Sequence, residues 1–311
     1  MKSKIEKRRG GRKRKWVFWT GGMILALMLM MGIYFYNKIG NTFSTMHDPL
    51  ERDTDQERQK NIKSIFKENK SINVLLLGVD ERPGDKGRSD TIILMSFNPN
   101  TNSTAMLSIP RDTYVNISGH GKDKINHAYA FGDVGLSIQT VEDMIDLPIH
   151  FYVKINMEGF KKGIDEIGGV TVYNDLAFSQ GKHHFPKGDI HLNGEESLDF
   201  IRMRKDDPQG DLGRNKRQRM VITAAMDKVA SFSSIPKIGS ILNILGGNVK
   251  TDLTFDRIQS LFLDYRHTHQ TIHTLELKGK GQFIGQYWYY VVSDEEFNRV
   301  HTELKNHMEA R

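Results

Sequence analysis

The 311-residue chain contains no cysteine. That absence excludes disulfide bonds and a thiolate nucleophile, so whatever the chain builds is held by its core alone. No G-x-S-x-G turn is present either, which leaves acyl transfer from a strand-to-helix serine without support. Internal repeats and low-complexity tracts are also missing. Long uncharged runs are scarce, and one stands out.

That run is Trp16–Tyr36, twenty-one residues without a charge. At about 1.5 Å per residue it reaches across roughly 30 Å of hydrocarbon. Trp16 and Trp19 at one end and Tyr34 and Tyr36 at the other suit the two interfaces. Residues 1–15 carry nine basic side chains and one acid, which places them in the cytoplasm and the rest outside. A cleaved signal peptide is the alternative, but the run is longer than such segments and no A-x-A site follows. The expected organisation is a cytoplasmic tail (1–15), a transmembrane signal anchor (16–36), a stalk (37–70) and one extracytoplasmic domain (71–311) with its motifs in 72–219. The protein would be a single-pass membrane protein with its C-terminus outside. Its net charge of +6 comes from the tail, since the remainder has 35 basic against 37 acidic residues. The basic excess is therefore an orientation signal and gives no reason to expect nucleic acid. An exported domain without cysteine suits the surface of a Gram-positive bacterium.

Within the domain, apolar strand-forming runs (Val74–Val79, Thr91–Phe97, Thr104–Ile109, His150–Ile155, Val170–Tyr173, Ile272–Leu277) alternate with helical patterns. Helices are expected near Gln56–Lys67 in the stalk, then at Leu136–Ile145, Met157–Ile167, Gly194–Met203, Arg214–Phe232, Ile235–Leu245, Phe255–His267 and from Asp294. Such alternation predicts an α/β (α+β) fold, a single three-layer α-β-α sandwich domain behind the N-terminal transmembrane helix.

Four segments carry chemistry. Asp80, in G-V-D-E-R, follows the first strand, and Asp90 follows a Gly-rich loop, so both sit where α/β sheets place their sites. Two carboxylates suit Mg²⁺ or Mn²⁺ completed by a substrate phosphate, and they equally suit plain turn and capping roles. Arg111, in S-I-P-R-D-T-Y, stands beyond another strand end. Lys124 and Asn126, in K-I-N-H-A-Y, are placed to reach the same rim, with His127 read as structural. The fourth is Phe200–Arg219, with seven Lys or Arg residues split by a Gly/Pro/Asp-rich break. Arg202 and Arg204 are two apart near a helix end; Arg214 and Gln218 share a helix face beside Arg217, while Arg219 is expected to be solvated. Guanidinium forks at this density suit a pyrophosphate or a polyanion, or a surface salt-bridged to Asp206, Asp207 and Asp211.

The succession G-V-D-E-R, G-R-S-D-T, I-P-R-D, K-I-N-H-A-Y, L-N-G-E-E-S-L and R-M-R-K-D-D-P-Q-G-D-L-G-R-N-K-R-Q resembles the LytR–CpsA–Psr family, most closely its teichoic acid transferase branch. The resemblance covers about Ser71–Arg219. It implies transfer of a glycopolymer, wall teichoic acid typically, from an undecaprenyl-pyrophosphate carrier to the muramic acid 6-hydroxyl of peptidoglycan. It further implies that Asp80 and Asp90 hold Mg²⁺, and that Arg82, Arg111, Arg202, Arg204, Arg214 and Gln218 grip the pyrophosphate. The prenyl chain then needs an apolar slot, for which Ile222, Met226, Ile241, Leu245, Leu261 and Phe262 are candidates and, equally, core residues. Two rival readings remain open: a non-catalytic membrane-bound regulator or lipid-binding scaffold, and a lipid pyrophosphatase with water as acceptor.

Overall fold

The computed structural model describes residues 45–81, 87–231, 241 and 244–311. The expected anchor at 16–36, most of the helix expected at Ile235–Leu245, and Arg82 lie outside them. Among the described residues no helix is long and apolar enough to cross a membrane.

The strands are β1 (Ile72–Val79), β2 (Ser89–Asn98), β3 (Ser103–Ser108), β4 (Tyr114–Ile117), β5 (Gly121–Lys124), β6 (Phe151–Asn156), β7 (Val170–Asn174), β8 (Phe178–Gln180), β9 (His183–Phe185), β10 (Gly188–Leu192), β11 (Val249–Thr251), β12 (Thr271–Glu276), β13 (Lys280–Ile284) and β14 (Tyr287–Val291). The described α-helices are α1 (Gln56–Lys67), α2 (His127–Ile145), α3 (Met157–Glu166), α4 (Gly194–Arg202), α5 (Asp211–Ala230), α6 (Phe255–Asp264) and α7 (Asp294–Glu309).

The fold is mixed α/β around a six-stranded sheet in the order β11-β6-β1-β2-β3-β12. β1 pairs β6 in parallel and β2 antiparallel, and β3 pairs β12 in parallel. Because side chains alternate along a strand, β1 serves both faces. Leu75, Leu77 and Val79 join Leu94 and Leu107 in a core closed by Ile138, Val141, Val300 and Leu304 of α2 and α7. Ile72 and Val74 turn the other way, toward Ile62 and Ile65 of α1 and Leu253. On that second face Ile93 and Met106 also meet Ile222 and Met226 of α5. A separate cluster under α3, α4 and α5 is formed by β7, β8, β9 and β10 with Phe200 and Val221.

The segment expected to be a stalk is packed on the domain from residue 45 onward. Met46, Ile62 and Ile65 are buried, His47 forms a parallel bridge with Thr251, and the Asp48 amide donates to the Thr251 carbonyl. Arg52 lies 3.4 Å from Glu142 and 3.7 Å from buried Asp252. The helix expected at Leu136–Ile145 starts earlier, at His127, and breaks at Asp133 (φ 56°, ψ −149°).

Candidate active site

The site assembles where β1 and β3 end and β2 begins. The β1–β2 register shifts between Gly78 and Val79, a bulge next to Asp90. Gly78 faces Thr91, and a Cβ there would stand 2.9 Å from the Thr91 Cβ, so only glycine leaves this edge open. Beyond β3, the Ile109 amide continues the ladder to the Ile92 carbonyl before Pro110 turns the chain and delivers Arg111. The Asn126 amide donates to the Arg111 carbonyl at 3.2 Å, and Lys124 Nζ meets Asp112 Oδ1 at 2.7 Å. The K-I-N-H-A-Y segment thus braces the arginine loop. His127 Nδ1 lies 2.7 Å from Asp123, within the same hairpin and helix start.

Arg111 Nη1 stands 2.5 Å from Asp90 Oδ1, and Arg214 Nη2 reaches the Asp90 carbonyl oxygen at 3.4 Å. Arg214 is 7% exposed and lies 2.9 Å from Asp211 Oδ1. That contact is an ion pair with poor hydrogen-bond directionality, since both Asp211 oxygens lack a directed donor among the described residues. The Nε atoms of Arg111 and Arg214 are likewise buried without an acceptor. Burial pulls the Arg111 pKa down, but Asp90 and then Asp112 outweigh it and the net shift is upward. Arg214 moves downward, through burial and through repulsion from Arg111, with Asp211 opposing. Both stay cationic in water-accessible pH ranges. Two crowded cations with unused donors make a site with an appetite for anionic oxygen.

Asp90, which holds Arg111, and Arg214 line one end of a cavity of about 150 Å³ between the sheet and the α3, α4 and α5 layer. Leu76, Ile155, Phe160, Leu198, Ile201 and Ile222 line its depth, while Arg202, Arg214 and Gln218 close the polar end. An apolar void of this size admits a benzene-sized group. Of the six slot candidates, Ile222 lines this cavity. Met226 packs with Ile93 and Met106, Leu261 beside Ile62, and Ile241 beside the Phe200 cluster.

The basic cluster separates into different jobs. Arg202 is exposed, contacts the Met157 sulfur and lines the cavity mouth. Arg204, two residues on, faces a second groove, because Met203 is extended (φ −59°, ψ 131°) and buried. Arg217 is a buried staple: its Nε donates to the Phe200 carbonyl at 3.1 Å and its Nη1 meets Asp207 Oδ2 at 2.5 Å. Arg219, expected to be solvated, is instead 9% exposed and lies 3.1 Å from Glu276 on β12, because α5 lays that face on the sheet edge. Asp80 follows β1, its amide donating to the Arg88 carbonyl at 3.3 Å.

One constellation had no counterpart in the motif reading. Lys154 Nζ, on β6, lies 3.0 Å from Glu81 Oε1 and 2.9 Å from the Tyr129 hydroxyl, which itself contacts Glu81. Burial, then the Glu81 hydrogen bond, pushes the Tyr129 hydroxyl pKa up. These groups hold the residue after Asp80. A lysine inside the otherwise apolar strand F-Y-V-K-I-N was the available signal.

Residues 33–306 match the model of the LytR_cpsA_psr family. A protein of Oceanobacillus iheyensis, described as polyisoprenyl-teichoic acid–peptidoglycan teichoic acid transferase TagU, is 55% identical over 320 residues, covering 100% of both chains. The solved structure of B. subtilis TagU superposes with a TM-score of 0.63 at 43% identity, covering 78% of this chain and 98% of that one. A structure of TagT bound to LIIa-WTA superposes at 0.67 with 35% identity, covering 77% and 91%.

Proposed function

The chain belongs to the LytR–CpsA–Psr family, and from that premise we propose that it is a membrane-anchored phosphotransferase. Its donor is an anionic glycopolymer, wall teichoic acid, on undecaprenyl pyrophosphate, and its acceptor is the muramic acid 6-hydroxyl of peptidoglycan. The observation that carries this reading is the pair Arg111 and Arg214, crowded around Asp90 at the mouth of an apolar cavity. A prenyl pyrophosphate has the matching shape, an anionic head on an apolar chain. The relatives' names give the coarser form of this reading, a polyisoprenyl-linked teichoic acid and peptidoglycan.

In this mechanism the acceptor hydroxyl attacks the phosphorus that bears the polymer. The bond to the bridging oxygen breaks, undecaprenyl phosphate leaves, and the hydroxyl proton passes to solvent or a nearby base. Charge accumulates on the phosphoryl oxygens and on the leaving phosphate, where Arg111, Arg214, Arg202 and Gln218 act by position and electrostatics. Arg82, outside the described residues, would add a further cation.

Asp80 and Asp90 would hold Mg²⁺ or Mn²⁺. The donor set fits, being two carboxylates at adjoining strand ends, with the Asp90 side chain 36% exposed and engaged by Arg111 through one oxygen. Mg²⁺ commonly takes one or two carboxylates and completes its shell with substrate phosphates. Bound there, the metal supplies neutralisation of pyrophosphate charge. The basic residues 1–15 and the run 16–36 orient the domain toward the outer membrane face.

The test is incubation of the full-length protein in detergent with lipid-linked polymer, with and without soluble peptidoglycan fragments. Polymer joined to the fragment, with prenyl phosphate release that depends on the fragment, is the expected result. Equal release without any acceptor identifies a pyrophosphatase, and no release at all identifies a binding protein.

A further inference from the structure

A second groove, of about 520 Å³, opens on the other side of the arginine cluster. Its walls come from the 204–210 loop, the start of α5 and the β13–β14 hairpin, with Pro110 and Asp112 also lining it. The two hollows share one partition: Asp90 and Arg214 face the apolar cavity, while Asp112, next to Arg111, and Asp211, the ion partner of Arg214, face the groove. The hairpin is fastened to this partition, since the Tyr290 amide donates to the Asp112 carbonyl at 2.8 Å and Thr113 bridges Tyr290.

The groove has a made platform. The Trp288 indole lies over Gly281, where an added Cβ would stand 2.5 Å from the ring, so the missing side chain is the seat of the aromatic plane. Trp288 remains 38% exposed and lines the groove with Leu212. Its charges are uneven. Asp112, Asp207 and Asp211 are each matched by Lys124, Arg217 and Arg214. Arg204 and Lys205 are exposed and have no ion-pair partner among the described residues, so the groove presents net positive charge beside an aromatic face. That combination selects a sugar ring carrying carboxylates: the C–H face of a pyranose lies on the indole and the acid meets the cations.

Resting on the transferase reading, we propose that this groove seats the acceptor, a glycan strand of peptidoglycan with its peptide carboxylates, through Trp288, Arg204 and Lys205. The placement matches the chemistry, because in-line displacement brings the nucleophile from the side away from the leaving prenyl phosphate.

Trp288 is the only tryptophan outside residues 16–19, so its emission reports this groove. The experiment titrates the full-length protein in detergent with a soluble GlcNAc–MurNAc-peptide oligomer and no lipid donor, reading tryptophan fluorescence. A saturable change is expected, absent for an oligomer stripped of sugars. In turnover, Trp288→Ala is expected to raise the acceptor KM about tenfold, as loss of one ring stack implies, with the donor KM unmoved. Trp288→Phe should restore most of it, and Lys205→Glu should raise acceptor KM alone, with circular dichroism verifying the fold of each. No fluorescence response to millimolar oligomer, an unchanged acceptor KM, or a response to the lipid-linked polymer instead of the oligomer overturns the proposal. Because the titration needs no donor and no turnover, its outcome is independent of whether transfer itself is detected.

Discussion

Arg217 and Asp207, each with a side chain only 7% exposed, face one another at 2.5 Å across the loop that joins α4 to α5. The same guanidinium holds the Phe200 and Met203 carbonyls, so one side chain closes the break in the basic cluster. Gly213 lies against Asp207 so closely that a Cβ would overlap the carboxylate. Arg217→Ala strands a buried carboxylate, and about 3–5 kcal/mol of stability is expected to go with it. Arg217→Lys should not repair this, since one ammonium cannot replace the fork. Thermal unfolding checks both, and Gly213→Ala should fall in the same direction.

Arg111, at the candidate site, is expected to behave differently. Arg111→Ala removes a partner of Asp90 at a half-open edge, so the domain is expected to stay folded. Transfer should drop by about 10²–10³, the usual cost of one lost charge-stabilising donor. Prenyl phosphate release in single-turnover assays measures it; full activity would remove Arg111 from the clamp.

Chelation provides a third check. EDTA is expected to abolish transfer and Mg²⁺ or Mn²⁺ to restore it, while the melting temperature without substrate barely moves. Asp80→Asn should shift the half-saturating Mg²⁺ concentration upward by about tenfold or more, the loss of one carboxylate ligand. Metal-independent transfer would rule out the two-carboxylate assignment.

Ile222 offers a steric test of the apolar cavity, whose volume is about 150 Å³. Ile222→Trp should fill it and raise the KM for a long-chain lipid donor, leaving a short-chain soluble pyrophosphate donor little affected. Equal effects on both donors would place the lipid elsewhere.

His150 makes stability depend on pH. Its Nδ1 accepts the Asn73 amide at 2.9 Å, which only the neutral ring can do, and burial, then Arg58 and Arg52, lower its pKa to about 4. The unfolded ring titrates near 6.5, so its contribution is complete above that value and lost as pH falls toward 4. Burial lifts the Asp252 carboxyl to about 7, which works in the opposite sense and favours the folded state at lower pH. His150→Asn keeps an acceptor without the titration. Its melting temperature is therefore expected to fall less than the parent's between pH 7 and pH 5; parallel curves would remove His150 as a cause.

The strands that carry the site were legible because buried β1, β2 and β3 are written as continuous apolar runs; Asp80 follows β1, Asp90 stands at the start of β2 and Arg111 lies beyond β3. Arg111 and Arg214 both reach Asp90, and Arg214 and Gln218, four apart on α5, line the same cavity. The short hairpins β4–β5, β8–β9 and β13–β14 were not legible, since strands of three to five residues carry too few alternations to rise above turn chemistry. Charge density also concealed the division of labour among arginines. Arg202, Arg204, Arg217 and Arg219 look alike in sequence, but an extended Met203 and the sheet edge beneath α5 send them to four different surroundings.

The docking of residues 45–54 on the sheet edge and α2 has a consequence for where the enzyme works. With His47 bridged to Thr251 and Arg52 held by Glu142, only residues 37–44 lie in sequence between the anchor proposed at 16–36 and the packed segment. Eight residues span at most about 28 Å even when fully extended. An anchor at 16–36 would therefore hold the domain on a short tether, its reach into the wall set by its own body and by the strand brought to it. A membrane-held donor and a domain anchored in this way would share one thin layer, and their encounter would be a search in two dimensions.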